Sequence, residues 1–129
     1  MIVRVDYPQN FAWVAGWALL FLLDCLWLSI TKLDCFVGYA SLRKGVPTSM
    51  GVGAVAMYTF VASLAVSTLT FSERTEAAAF GAAAGFVIFA SYNITTITVD
   101  ARWVGADALC DTAYGVLSWT VLLAAMHTW

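Results

Sequence analysis

Phe11–Ile30 reads FAWVAGWALLFLLDCLWLSI, twenty residues with a single charged side chain, Asp24. A helix rises about 1.5 Å per residue, so this run is about 30 Å long, the thickness of a bilayer's hydrocarbon core. Lipid offers no partner to peptide N–H and C=O groups, so a run of this kind is helical. Three more runs of similar length follow, at about Met50–Phe71, Ala77–Thr98 and Asp107–Thr128. The expected fold is all-α, an integral membrane four-helix bundle, with residues 1–129 forming one transmembrane domain.

Composition supports this reading: 62% of residues are hydrophobic and 11% charged, against about 45–50% apolar and about 25% charged in soluble domains. A formal charge of −2, with six scattered basic residues, gives no stripe for nucleic acid. The N-terminal apolar run exceeds a signal-peptide core and has no small-x-small cleavage site, so a retained first helix is expected. Cys25, Cys35 and Cys110 have neither the even count of a disulfide framework nor zinc-site spacing, and read as unbridged packing residues.

The connectors are short and carry polar or turn residues: Lys32 to Pro47, Ser72 to Glu76, and Asp100 to Gly105. Thr48 or Ser49 is expected to cap the second helix, and Ser72 or Thr75 the third. In the first connector Phe36, Val37, Tyr39, Ala40 and Leu42 suggest a short helix lying at the membrane surface. Lys32, Arg43, Lys44 and Arg102 fall in the first and third connectors, which the positive-inside rule places inside, with both termini outside. Tyr7, Trp13, Trp103 and Trp129 read as interface anchors. Gly81 and Gly85 form a Gly-x-x-x-Gly pair that admits a close helix neighbour, within the chain or in a homo-oligomer.

The informative residues are those a lipid-facing helix avoids. Asp24 lies six residues from the end of the first run, roughly 9 Å below its boundary. An ionised carboxylate there costs about 2.5–3.5 kcal/mol, so it is expected to face protein or water. Asp111 near the start of the fourth run and Asn93 near the end of the third reach a similar depth on the same side. Helical periodicity aligns Asp111, Tyr114, Gly115 and Ser118 on one face, and Trp17, Asp24 and Trp27 on another. Tyr92, Thr95 and Thr96 make a hydroxyl face bordered by Asn93. These faces predict a small polar pocket under the basic connectors, with Asp24, Trp27, Tyr92, Asn93, Thr96, Asp111 and Tyr114 as candidate binding residues. Arg102 or Lys32 is expected to reach a carboxylate by snorkelling. The alternative is that the same groups hydrogen-bond across helices and only fix the packing.

Chemistry beyond binding lacks its residues. There is no phosphate-cradling glycine loop, no nucleophile elbow and no His-rich metal spacing, and the one histidine, His127, lies at the opposite side from the carboxylates. No span holds the lysine that retinal needs or the deep histidine that haem needs. The expectation is a non-enzyme without cofactor or metal.

Leu23-Asp24-Cys25-Leu26-Trp27-Leu28, with Phe36 following, resembles the apolar-Asp-x-x-Trp-Leu and aromatic pattern of domain-of-unknown-function family 2177, small four-pass membrane proteins. Ser91-Tyr92-Asn93-Ile94-Thr95-Thr96 resembles that family's Thr-Tyr-Asp-Leu-Thr-Asn, Trp103 a tryptophan of the last connector, and Asp111-Thr112-Ala113-Tyr114-Gly115 its Asp-x-x-Trp-Gly. Asn93, Thr96 and Tyr114 depart from the pattern, and the missing third carboxylate favours hydrogen bonding over a shared metal or proton site. The resemblance implies the fold and the residues but no reaction. Two functions are therefore expected to compete: binding or transport of a small polar solute, proton or lipid headgroup at the inner-side pocket, or service as a non-catalytic accessory subunit. The partners expected are membrane lipids, and a homo-oligomer or larger membrane complex.

Overall fold

The structure is a computed structural model that describes residues 4–5, 12–33 and 35–127. Among them are five helices: α1 (Ala12–Ile30), α2 (Val37–Arg43), α3 (Thr48–Val66), α4 (Arg74–Val99) and α5 (Gly105–Met126). Helices α1, α3, α4 and α5 are long and apolar enough to cross a bilayer, and the chain is an integral membrane protein. Their outward side chains are lipid-like, as in Leu22 (65% exposed) and Val99 (79% exposed). The expected anchors Tyr7 and Trp129 lie outside the described residues, as does Thr128, where the fourth span was expected to end.

The second span stops at Val66 rather than at Phe71. Ser67 Oγ donates to Leu64 O at 2.7 Å and Thr68 Oγ1 to Ala65 O at 2.7 Å, which satisfies carbonyls that have no partner further along the helix. The released chain forms a two-residue strand, β2 (Leu69–Thr70), antiparallel to β1 (Arg4–Val5), in the register Arg4 to Thr70 and Val5 to Leu69. The expected caps are also replaced. Pro47 stands at the start of α3 and its carbonyl accepts from Met50 and Gly51, while α4 starts after Glu73 with no side-chain cap bond.

Three seams hold the bundle: α3 on α1, α1 on α5, and α5 on α4, with no extensive contact between α3 and α4. The α4–α5 seam is close because it is built on glycine. A methyl at Gly81 would stand 2.3 Å from Trp119 O, and one at Gly85 2.2 Å from Gly115 O. The Gly-x-x-x-Gly pair therefore serves packing within the chain. On the α1–α3 seam Trp17 Nε1 donates to Thr59 Oγ1 at 3.1 Å and Ala56 O at 3.2 Å, and Phe60 meets the edges of Trp13 and Trp17. Trp17 thus faces α3, away from the pocket that its alignment with Asp24 predicted.

Candidate functional site

Helix α5 opens with Asp107, Asp111 and Tyr114, and this face looks toward α1, α2 and α4. Asp107, only 2% exposed, accepts the backbone N–H of Gly38 at 2.7 Å and of Tyr39 at 3.2 Å through Oδ2. It caps α2 from another helix, satisfying donors that the first turn leaves unpaired. Gly38 is required for this approach, since a methyl there would stand 2.7 Å from Asp107 Oδ2. Far from lying on the surface, the Tyr39 ring is buried in the bundle, edge-on to Trp103 at 4.6 Å.

Asp111 is engaged at both oxygens. Its Oδ1 accepts from Tyr39 OH and, at 3.0 Å, from Trp27 Nε1, and its Oδ2 accepts from Asn93 Nδ2 at 2.9 Å. Asn93 is equally engaged, donating to Phe89 O and Thr112 Oγ1 and accepting from Trp103 Nε1 at 2.7 Å. An indole only donates and a carboxylate only accepts, so this network fixes which way the Asn93 amide points. Trp103, expected at the membrane surface, is 4% exposed and forms the floor of the junction.

Asp24 differs. It is 7% exposed, and one oxygen accepts from Tyr114 OH, but no donor among the described residues reaches the other. Tyr114 stacks on Trp27 with centroids 4.8 Å apart and planes 4° from parallel. That stack links the two acids: Trp27 donates to Asp111, and Tyr114 to Asp24. Both carboxylates border one cavity of about 470 Å³. Its walls are Trp27 from α1, Tyr39 from α2, Tyr58 from α3, and Phe89 and Tyr92 from α4, with Ala54, Val55 and Ile88 flanking the gap between α3 and α4.

The cations sit elsewhere than expected. Arg102 pairs with Asp100 at 2.6 Å, which holds the Asp100 carboxyl below its ordinary value of 3.8, at about 2. Lys32 is exposed. Arg43 does reach inward, its guanidinium carbon 5.1 Å from the Tyr39 ring centroid. Arg43 also donates to Leu28 O at 3.1 Å and to Thr31 Oγ1, closing the end of α1 where carbonyls lack partners. Burial, followed by the nearby Asp111 carboxylate, pushes the Tyr39 phenol up, so it keeps its proton and remains a donor. Among the described residues no ion pair joins a basic side chain to Asp24 or Asp111, and no three His, Cys, Asp or Glu side chains converge as metal ligands.

Of the expected binding residues, the structure brings Asp24, Trp27, Tyr92, Asp111 and Tyr114 to the cavity and places Asn93 behind it, against Asp111. Thr96 is displaced from the site. Its hydroxyl bonds Tyr92 O one turn back, at 2.8 Å, and it does not line the cavity. Residues missed from the sequence are Tyr39, Tyr58, Trp103 and Asp107. For Asp107 a signal existed, because it lies four residues before Asp111 and shares its helical face. Comparison with family models, with curated proteins and with solved structures found no match.

Proposed function

We propose that the cavity is the working part of a membrane-embedded binding or transport protein for a small polar solute or lipid headgroup. The observation that carries this reading is the contrast between the two acids. Asp111 has both oxygens committed to protein donors, whereas Asp24 keeps one oxygen free toward the cavity. A network that served packing alone would leave neither acid open, because a half-satisfied carboxylate in a low-dielectric bundle is costly. Asp111 is then the organiser that sets Trp27, Tyr39 and Asn93, and Asp24 is the group a ligand meets. The basic residues Arg43, Lys44 and Arg102 at this end of the bundle support placing the cavity toward the inner side of the membrane.

The test is solute flux into proteoliposomes, or headgroup binding in detergent, for wild type and Asp24→Asn. The expected result is activity in the wild type and at least a tenfold loss in the variant. Equal behaviour of the two proteins would reduce the cavity to a packing defect.

A further inference from the structure

The sign, size and lining of the cavity together specify its ligand, if the proposed binding role of Asp24 is taken as the starting point. We infer that the cavity takes an organic ammonium ion, its charge against the free oxygen of Asp24 and its apolar part in the gap between α3 and α4.

The sign comes from Asp24. It is nine-tenths buried, no basic side chain pairs with it among the described residues, and its one donor is a phenol. A carboxylate held in a membrane interior is stabilised most by a cation, and the open oxygen gives that cation a place. The class of cation comes from the lining. A metal ion is bound by a shell of about six oxygens, whereas the walls here are mainly ring and aliphatic carbon. Aromatic faces attract cations electrostatically, most strongly tryptophan, and a weakly hydrated ammonium gains most from them. Trp27 and Tyr114 stack into one flat wall beside Asp24, while Tyr58 and Tyr92 supply walls from α3 and α4.

The size suits an organic cation. About 470 Å³ matches cavities that hold organic molecules, which run to about 300–1,000 Å³. The remaining wall, Leu28, Ala54, Val55 and Ile88, offers no hydrogen-bonding side chain. It suits alkyl or aryl substituents and gives nothing to a sugar or an anion. Ala54 on α3 and Ile88 on α4 are also exposed, so the apolar end of the cavity is not closed over by other side chains of the bundle.

The experiment titrates the full chain in maltoside micelles with benzyltrimethylammonium and with neopentylbenzene, its uncharged isostere in which carbon replaces nitrogen, reading tryptophan fluorescence. The cation is expected to bind saturably and at least tenfold more tightly than the isostere. Asp24→Asn is expected to bring the two within twofold. Tyr92→Leu, at a side chain 56% exposed and therefore dispensable for folding, is expected to weaken the cation severalfold and leave the isostere unchanged. Equal, saturable binding of both probes overturns the ammonium class and leaves the cavity as a binding site. Absence of saturable binding by either overturns both. Repeating the titration in phosphatidylglycerol nanodiscs with and without phosphatidylethanolamine separates the sources. A lipid amine as occupant weakens the probe when phosphatidylethanolamine is added, and a free amine as occupant leaves it unchanged.

Discussion

Exchanging Asn93 and Asp111 tests the polarity of the junction that sets the site. In the wild type Asn93 donates to Asp111 at 2.9 Å while its own oxygen accepts from Trp103 at 2.7 Å. Asp111→Asn alone sets two NH2 groups against each other. Asn93 cannot turn to relieve this without presenting its NH2 to the Trp103 indole, which only donates. Turning residue 111 instead would set an NH2 against Trp27 Nε1, another pure donor. One charged interhelical bond is lost, and since such bonds in bilayers average about 0.6 and reach about 1.7 kcal/mol, the expected cost is about 1–2 kcal/mol. Asn93→Asp alone brings two carboxylates together below the membrane surface, at about 3 kcal/mol. The double exchange restores donor to acceptor: residue 111 donates to residue 93, Trp103 still finds an oxygen, and Trp27 and Tyr39 still find another. Phe89 O and Thr112 Oγ1 lose their donor, and the Thr112 hydroxyl can turn to donate to the new carboxylate. The double variant should lie within about 1 kcal/mol of wild type, a coupling of about 3–5 kcal/mol between the sites. Equilibrium unfolding in mixed dodecyl sulfate and maltoside micelles, followed by tryptophan fluorescence, measures all four proteins. Additive losses in the double variant would refute the assigned bond directions.

Gly85→Ala forces a methyl to 2.2 Å from a backbone oxygen, which has no rotamer to escape by, so α4 and α5 must part. The loss should reach about 3 kcal/mol in the same assay, whereas Gly53→Ala, with open space around it, should stay within about 0.5 kcal/mol of wild type. Asp107→Ala removes the cap of α2 and should cost about 1–2 kcal/mol, with faster hydrogen exchange at the Gly38 and Tyr39 amides as its signature. Ser63→Ala deletes a buried hydroxyl with no partner among the described residues, and unfolding should show stability unchanged or raised by about 1 kcal/mol. Arg102 lowers the Asp100 pKa, so their pairing is intact above the ordinary value of 3.8 and is lost as pH falls through about 2. A carbon-13 titration of the Asp100 carboxyl should therefore find its midpoint near 2, returning to the ordinary range in Arg102→Ala.

Four crossings are legible in the amino-acid string alone, and so is the expectation that its polar residues gather at one level. Both follow from the cost of exposing peptide groups and carboxylates to lipid, which is paid residue by residue along the chain and can be read from a linear string. The parity of the crossings assigns Asp24, Asn93 and Asp111 to one side of the membrane from the chain alone. Which face of each helix meets which neighbour is fixed only by assembly of the bundle. Thr96 and Trp17 share helical faces with site residues, yet one hydroxyl is spent on its own backbone and the other side chain turns to α3. Tyr39 and Trp103 look like surface aromatics in sequence and become interior ones because Asp107 pulls α2 onto α5 and Asn93 offers the indole an acceptor. Rotation about a helix axis is set by close contacts such as those at Gly81, Gly85 and Gly115, between residues distant in the chain. Local periodicity carries no record of those distances, so the engagement of both Asp111 oxygens and the open oxygen of Asp24 emerge only when the helices are assembled.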